Sequence, residues 1–203
     1  MWNKEREAII SVMKEDAKWV IEPAKNFRTE LREVLEVVRT NPTAIVAGGC
    51  FADIFRGLSF KDLDCWYRTP NDWDSVVSKL KGVEYTSPNC MAVRQGGILV
   101  EHIGLRFGTP RFILENFDFT VCKFAVYFEK CEVMVMYHRD FFRDLQRMNL
   151  NIDTERTLLG NSVGRIIKYA NKGFKITKKT GNTLINLSRR HDASVDDQEW
   201  YSL

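Results

Sequence analysis

Apolar residues recur at helical spacing through 2–21, at Ile9, Ile10, Met13, Ala17 and Val20. Pro23 interrupts the pattern, which resumes over 24–39 through Phe27, Leu31, Val34, Leu35 and Val38. This spacing predicts two helices, or one helix kinked at Glu22-Pro23, ending near Asn41-Pro42 and covering a sheet. Ala44–Ala47 is a short unbroken apolar run, the pattern of a buried strand. Residues 50–56 are apolar on one face and read as a short helix. The pattern then changes over 60–67, where apolar and polar residues alternate and Phe60, Leu63 and Trp66 break up Lys61, Asp62 and Asp64. That alternation predicts a strand.

Farther on, Thr69-Pro70 opens a helix with an apolar face of Trp73, Val76, Val77 and Leu80, stopped by Gly82. Three short strands are expected at 83–86, 91–94 and 98–105, with Gln95-Gly96-Gly97 as a hairpin turn. A short helix is expected over 109–116, starting at Pro110. Residues 116–125 read as an aromatic and aliphatic strand carrying Asp118 and Thr120. A hairpin of 124–128 and 133–137 follows, then a helix over 138–148 with Phe141, Phe142, Leu145 and Met148 inward. The alternation of strands and helices indicates an α+β domain.

Composition narrows the classes. With 203 residues, 44% apolar and 28% charged, the chain reads as one compact domain, or a head with a small helical appendage. The net charge of +3 does not by itself select a nucleic-acid partner. No continuous apolar run is long enough for a bilayer span, and the charged N-terminus lacks a secretory core. The 5 cysteines are scattered without a C-x-x-C pair, which suits free thiols in a reducing, cytoplasmic setting. His102, His138 and His191 are dispersed and form no zinc pattern.

The candidate chemistry gathers around 45–66. Gly48 and Gly49 follow a strand and precede a helix, so the backbone can turn and approach a ligand closely. A helix N-terminus after such a turn offers free N–H groups to phosphate. In a strand, Asp62 and Asp64 point to the same face, close to this turn. Adjacent carboxylates repel each other and are relieved by a hard divalent cation such as Mg2+ or Mn2+. Glu101, flanked by Val100 and Ile103, is either a third carboxylate completing a metal site or an outward residue of a half-exposed strand.

The run Gly48-Gly49, Asp53, Arg56-Gly57-Leu58 and Lys61-Asp62-Leu63-Asp64 resembles the signature of the nucleotidyltransferase superfamily. Within it the run is most similar to the branch of bacterial poly(A) polymerases and CCA-adding tRNA nucleotidyltransferases. Ala52 stands where that branch usually has arginine. A second run, Asn116-Phe117-Asp118-Phe119-Thr120-Val121-Cys122, resembles the branch's Arg-Arg-Asp-Phe-Thr-Ile-Asn motif. Asp118, Phe119 and Thr120 match, while Asn116 and Phe117 replace two arginines and Cys122 replaces the asparagine. A third, Arg165-Ile-Ile-Lys-Tyr-Ala170 with Gly173-Phe174-Lys175-Ile176, resembles the branch's neck helix.

The resemblance spans about 44–180 and implies a polymerase-beta-like nucleotidyltransferase fold, a mixed sheet flanked by helices with a helical C-terminal neck. The implied organisation is N-terminal helices over 1–42, a head over 43–150, a neck over 151–191 and a tail over 192–203. The helical domains that seat tRNA in CCA-adding enzymes are not expected. The implied roles are metal ligation by Asp62, Asp64 and Glu101, and catalysis by Asp62, Asp64 and Asp118. Nucleotide binding falls to Gly48, Gly49, Asp53, Lys61, Asp118, Thr120 and Arg165. The implied reaction moves a nucleoside monophosphate from a triphosphate to an acceptor hydroxyl of an RNA 3′ end, a protein or a small molecule, releasing pyrophosphate. The replaced contacts keep a second reading open, an inactive nucleotide- or nucleic-acid-binding protein on the same scaffold. From Arg156 to His191 the chain has no acidic residue, a basic tract suited to RNA or simply a solvated face.

Overall fold

The computed structural model describes residues 17–153 and 159–191. The segment 2–16 of the expected first helix and the tail 192–203 lie outside the described residues. The strands are β1 (Trp19–Pro23), β2 (Ala44–Ala47), β3 (Asp62–Tyr67), β4 (Val83–Ser87), β5 (Cys90–Gln95), β6 (Ile98–Phe107), β7 (Phe124–Glu129), β8 (Glu132–His138), β9 (Asn149–Leu150) and β10 (Lys175–Ile176). The α-helices are α1 (Arg32–Thr40), α2 (Cys50–Ile54), α3 (Pro70–Val77), α4 (Pro110–Glu115), α5 (Phe141–Gln146), α6 (Leu159–Asn171) and α7 (Lys178–His191). Eight strands form one mixed sheet in the order β1-β8-β7-β2-β3-β6-β5-β4, and β9 and β10 pair separately. Every adjacent pair in the large sheet is antiparallel except β3 with β6. This is the expected α+β fold, a mixed sheet flanked by helices.

The sheet has two unequal faces. On one, Leu63, Cys65 and Tyr67 of β3 join Val34, Leu35 and Val38 of α1, Phe51 of α2 and Phe141 of α5 in the main core. Phe55, Phe124, Tyr137, Phe141 and Phe142 form an aromatic nest there; Phe55 lies 5.0 Å from both Phe124 and Phe142, centroid to centroid. On the other face, Ile45, Ala47, Ala125 and Tyr127 pack under Ile113 and Leu114 of α4. Asp62, Asp64 and Trp66 alternate with the main-core residues of β3 and are half-buried. Thr69 caps α3 reciprocally with Asp72, and Pro70 occupies the first turn.

Two local expectations are corrected. Residues 19–23 form a strand on β8, with Trp19 opposite His138 and Pro23 opposite Met134, where the sequence spacing predicts a helix through 21. The helical spacing there rests on Ala17 and Val20 alone. Adjacent Val20 and Ile21 fit a strand better, and Pro23 is tolerated at the end of an edge strand. Residues 116–125 do not form one strand: Thr120–Cys122 is a 3-10 turn, and β7 begins at Phe124. A single bridge from Phe119 to Ile152 replaces the expected ladder. Among the described residues, no helix is long and apolar enough to cross a membrane.

The main core also holds His102, 1% exposed, whose Nδ1 lies 2.5 Å from Tyr67 Oη. Asn41 Nδ2 donates to that hydroxyl at 3.1 Å, which leaves the phenolic proton for the imidazole. Burial depresses the imidazole to about 4. The unfolded chain takes up this proton near pH 6.5, so stability is full above that value and falls as pH drops toward 4. The expected loss is about 3 kcal/mol. Urea midpoints at pH 7.5 and 4.5 measure it, and the pH difference is expected to shrink in His102→Gln.

Candidate active site

β2 runs out of the core at Ala47 and turns at Gly48, whose φ of 125° lies outside the range comfortable for other residues. A Cβ there would stand 3.2 Å from Asp64 Oδ2 and 3.4 Å from Phe117 Cζ. The glycine bend and the second aspartate of β3 are therefore in contact. Gly49 precedes α2 with helical dihedrals, so conformation does not demand glycine there. Space does: a Cβ would collide with the Tyr169 hydroxyl of α6. Gly49→Ala is expected to cost about 1–3 kcal/mol by overpacking. Tyr169→Phe, which removes the colliding oxygen, is expected to return much of it. Thermal melts of the two single variants and the double variant measure that coupling.

Asp62 and Asp64 point to one face of β3, and the parallel register sets Asp64 directly beside Glu101 of β6. Burial, then the charges of Asp62 and Glu101 and a hydrogen bond shared with Glu101, push the Asp64 carboxyl well up. Lys168 of α6 opposes the shift. Lys61 Nζ lies 3.7 Å from Asp62 Oδ2, with its side chain 86% exposed. Among the described residues, no three His, Cys, Asp or Glu side chains are already gathered closely enough to hold a metal ion. The donors are nevertheless all oxygen, and a mutually repelling carboxylate set is the chemistry that suits magnesium or manganese.

Most of the remaining residues singled out from sequence lie where α6 and the segment after it pack against the rest of the molecule. Asp118, 5% exposed, accepts from Ser162 Oγ at 3.0 Å and pairs with Arg165 Nη1 at 3.3 Å. Asp53 Oδ2 is 2.5 Å from Lys172 Nζ. Arg56 donates to the Lys172 carbonyl at 3.3 Å and stacks over Phe174. Thr120 Oγ1 donates to Asp144 Oδ2 at 2.6 Å, away from the carboxylate row. The structure thus gathers Gly48, Asp62, Asp64 and Glu101, while Asp118 pairs with Arg165 of α6 and Asp53 with Lys172 just beyond it.

Two further residues belong to this region, Tyr169 and Phe117, to which the sequence reading assigns no role in the site. Tyr169 covers Gly49, and its hydroxyl lies 2.9 Å from Cys122 Sγ. Cys122, which stands where the resembled motif has asparagine, therefore meets Tyr169 of the third resembled run. Phe117, which replaces an arginine, stands over Gly48 and packs edge-on against Trp66 at 5.8 Å.

Comparison with solved structures identifies the fold. The Thermotoga maritima CCA-adding enzyme complexed with tRNA superposes with a TM-score of 0.62 at 16% identity, covering 84% of this chain and 46% of that one. A CCA-adding enzyme complexed with ATP gives 0.64 at 16% identity, with 86% and 47% covered. A tRNA-processing enzyme in an apo form gives 0.58 at 18% identity, with 81% and 47% covered. The chain thus has the fold of these nucleotidyltransferases and spans a little under half of their length. No curated protein sequence matches the chain. The profile of the Gabija anti-defense 2 family matches residues 11–148, more than half of the sequence, and the chain belongs to that family.

Proposed function

We propose that the protein is a metal-dependent nucleotidyltransferase that moves a nucleoside monophosphate from a nucleoside triphosphate to an acceptor hydroxyl and releases pyrophosphate. The observation that carries this reading is the contact between the glycine bend and Asp64, itself beside Glu101 and on one face with Asp62. Asp62, Asp64 and Glu101 would hold magnesium or manganese. Such an ion neutralises triphosphate charge and lowers the pKa of an attacking hydroxyl. The backbone at Gly48 and Gly49 admits phosphate oxygens closely and turns the N-terminus of α2 toward them. Asp118, held by Ser162 and Arg165, orients the sugar or the neck. Lys61 and Lys168 screen the carboxylates.

The basic tract supports RNA as one acceptor class. Lys168, Lys175, Lys178 and Lys179 are exposed along the neck, whereas Arg165 and Lys172 turn toward Asp118 and Asp53. The family description supports adding Gabija components to the acceptors tried. The test is incubation with each α-labelled triphosphate, magnesium, and a mixed RNA and protein pool. Label on one macromolecular class supports the reading and names the acceptor; label nowhere, at any metal concentration, removes it.

A second reading, a binding protein without turnover, is favoured by the packing of Tyr169 against Gly49. Calorimetry with several triphosphates, with and without magnesium, separates the two. Tight binding without pyrophosphate release supports the second.

A further inference from the structure

Four strands bring one row of residues together. Asp64 of β3 is opposite Glu101 of β6, Glu101 is opposite Ala92 of β5, and Ala92 is opposite Tyr85 of β4. Partners in register share a face of the sheet. Because Ala92 carries only a methyl group, the Tyr85 side chain spans β5, and its Oη donates to Glu101 Oε1 at 2.6 Å. The register of β4 shifts between Val83 and Tyr85. Such bulges re-aim side chains and concentrate beside active sites. β4 is the outer strand of the sheet, and Tyr85 is 43% exposed. A phenol reachable from solvent is therefore hydrogen-bonded to the carboxylate that neighbours Asp64, and Asp64 touches the glycine bend.

From this geometry we infer that Tyr85 is itself an acceptor: the protein nucleotidylates its own Tyr85 hydroxyl with a nucleoside triphosphate as donor. The inference rests on the nucleotidyltransferase reading and names a protein hydroxyl within the same site. Tyr85 Oη attacks the α-phosphorus, and an oxygen–phosphorus bond forms. The bond from the α-phosphorus to the oxygen bridging to the β-phosphate breaks, and pyrophosphate leaves with that electron pair. The phenolic proton passes to Glu101 Oε1.

Two measurements test this. The first is peptide mass spectrometry of the protein as purified from cells, before and after phosphodiesterase. The second is the same analysis after incubation with each triphosphate and magnesium. The expected result is one nucleoside monophosphate on the peptide bearing Tyr85, removed by phosphodiesterase and absent in Tyr85→Phe. That variant keeps the ring, and circular dichroism checks its fold. Glu101→Gln, with the phenol intact, is expected to slow appearance of the adduct about a hundredfold, the usual worth of a positioned general base. Transfer to other macromolecules while Tyr85 stays unmodified overturns this inference and leaves the function standing. An adduct that persists in Tyr85→Phe also overturns it. Neither transfer nor pyrophosphate release under any condition overturns both.

Discussion

Asp64→Asn is expected to abolish nucleotide transfer and to raise the melting temperature together. The loss of activity should reach at least about a thousandfold, because on the proposed mechanism the substitution removes a charge that would hold a cation against the triphosphate. The gain in stability follows from the resting electrostatics. Asp64 is half-buried, and desolvation with the repulsion of Asp62 and Glu101 pushes its carboxyl up. Asparagine keeps the shape and drops the charge. Relief on the order of 1–2 kcal/mol is expected, about 2–4 °C per kcal/mol for a chain of this size. Asp62→Asn should cost comparable activity with a smaller thermal gain, since its side chain is 28% exposed and lies near Lys61. Stability stored against function in this way is common where charges cluster for a ligand. Thermal melts without metal, and transfer assays with it, measure the two effects separately. Transfer within tenfold of the unsubstituted protein would remove Asp64 from the metal set.

Much of this arrangement is legible in the chain. The strand expected over 60–67 puts Asp62 and Asp64 on one face, and the structure shows them on one side of β3, alternating with buried Leu63, Cys65 and Tyr67. The apolar run Ala44–Ala47 followed by two glycines gives the strand and bend as observed. Glu101 required more, because its place beside Asp64 depends on a parallel pairing across more than thirty residues of intervening chain. Local pattern cannot supply that register. The same limit hides Tyr85, whose reach to Glu101 depends on three successive pairings and a bulge. At Trp19–Pro23 a helical spacing of few positions yields to the open edge of β8, since an unpaired strand edge gains a full ladder of hydrogen bonds from an extended partner. The resemblance assigns Asp118 to catalysis and nucleotide binding. Its contacts with Ser162 and Arg165 depend on how α6 docks, a tertiary fact absent from any window of sequence.

Asp153→Asn is expected to be the most destabilising single substitution outside the aliphatic core. Lys123 is 1% exposed, and its ammonium lies 3.4 Å from Asp153 Oδ2 and 5.9 Å from the Trp19 ring centroid. Lys18 approaches the other carboxylate oxygen at 3.6 Å. His138 Nδ1 accepts from the Asp140 amide at 3.1 Å, so its proton is on Nε2, which faces Asp153 Oδ2 at 3.3 Å. Burial alone would raise the Asp153 carboxyl, but the close approach of His138 and the lysine charges outweigh it and hold the group well below the ordinary range. A depressed carboxylate contributes its full stability above its unfolded pKa near 3.9 and loses it in more acid solution. Removing the charge at neutral pH leaves the Lys123 ammonium buried without a counter-charge, a loss of about 3–5 kcal/mol. Lys123→Met should cost less, because Asp153 keeps Lys18 and His138 and its side chain is 16% exposed. The double variant should recover most of the deficit, since neither buried charge then remains. Urea unfolding of all four proteins at pH 7 decides the matter. If Asp153→Asn falls within about 1 kcal/mol of the unsubstituted protein, the range of a weak surface pair, the ammonium is not relying on Asp153 for its compensation. The cluster would then be polar packing rather than an ion pair.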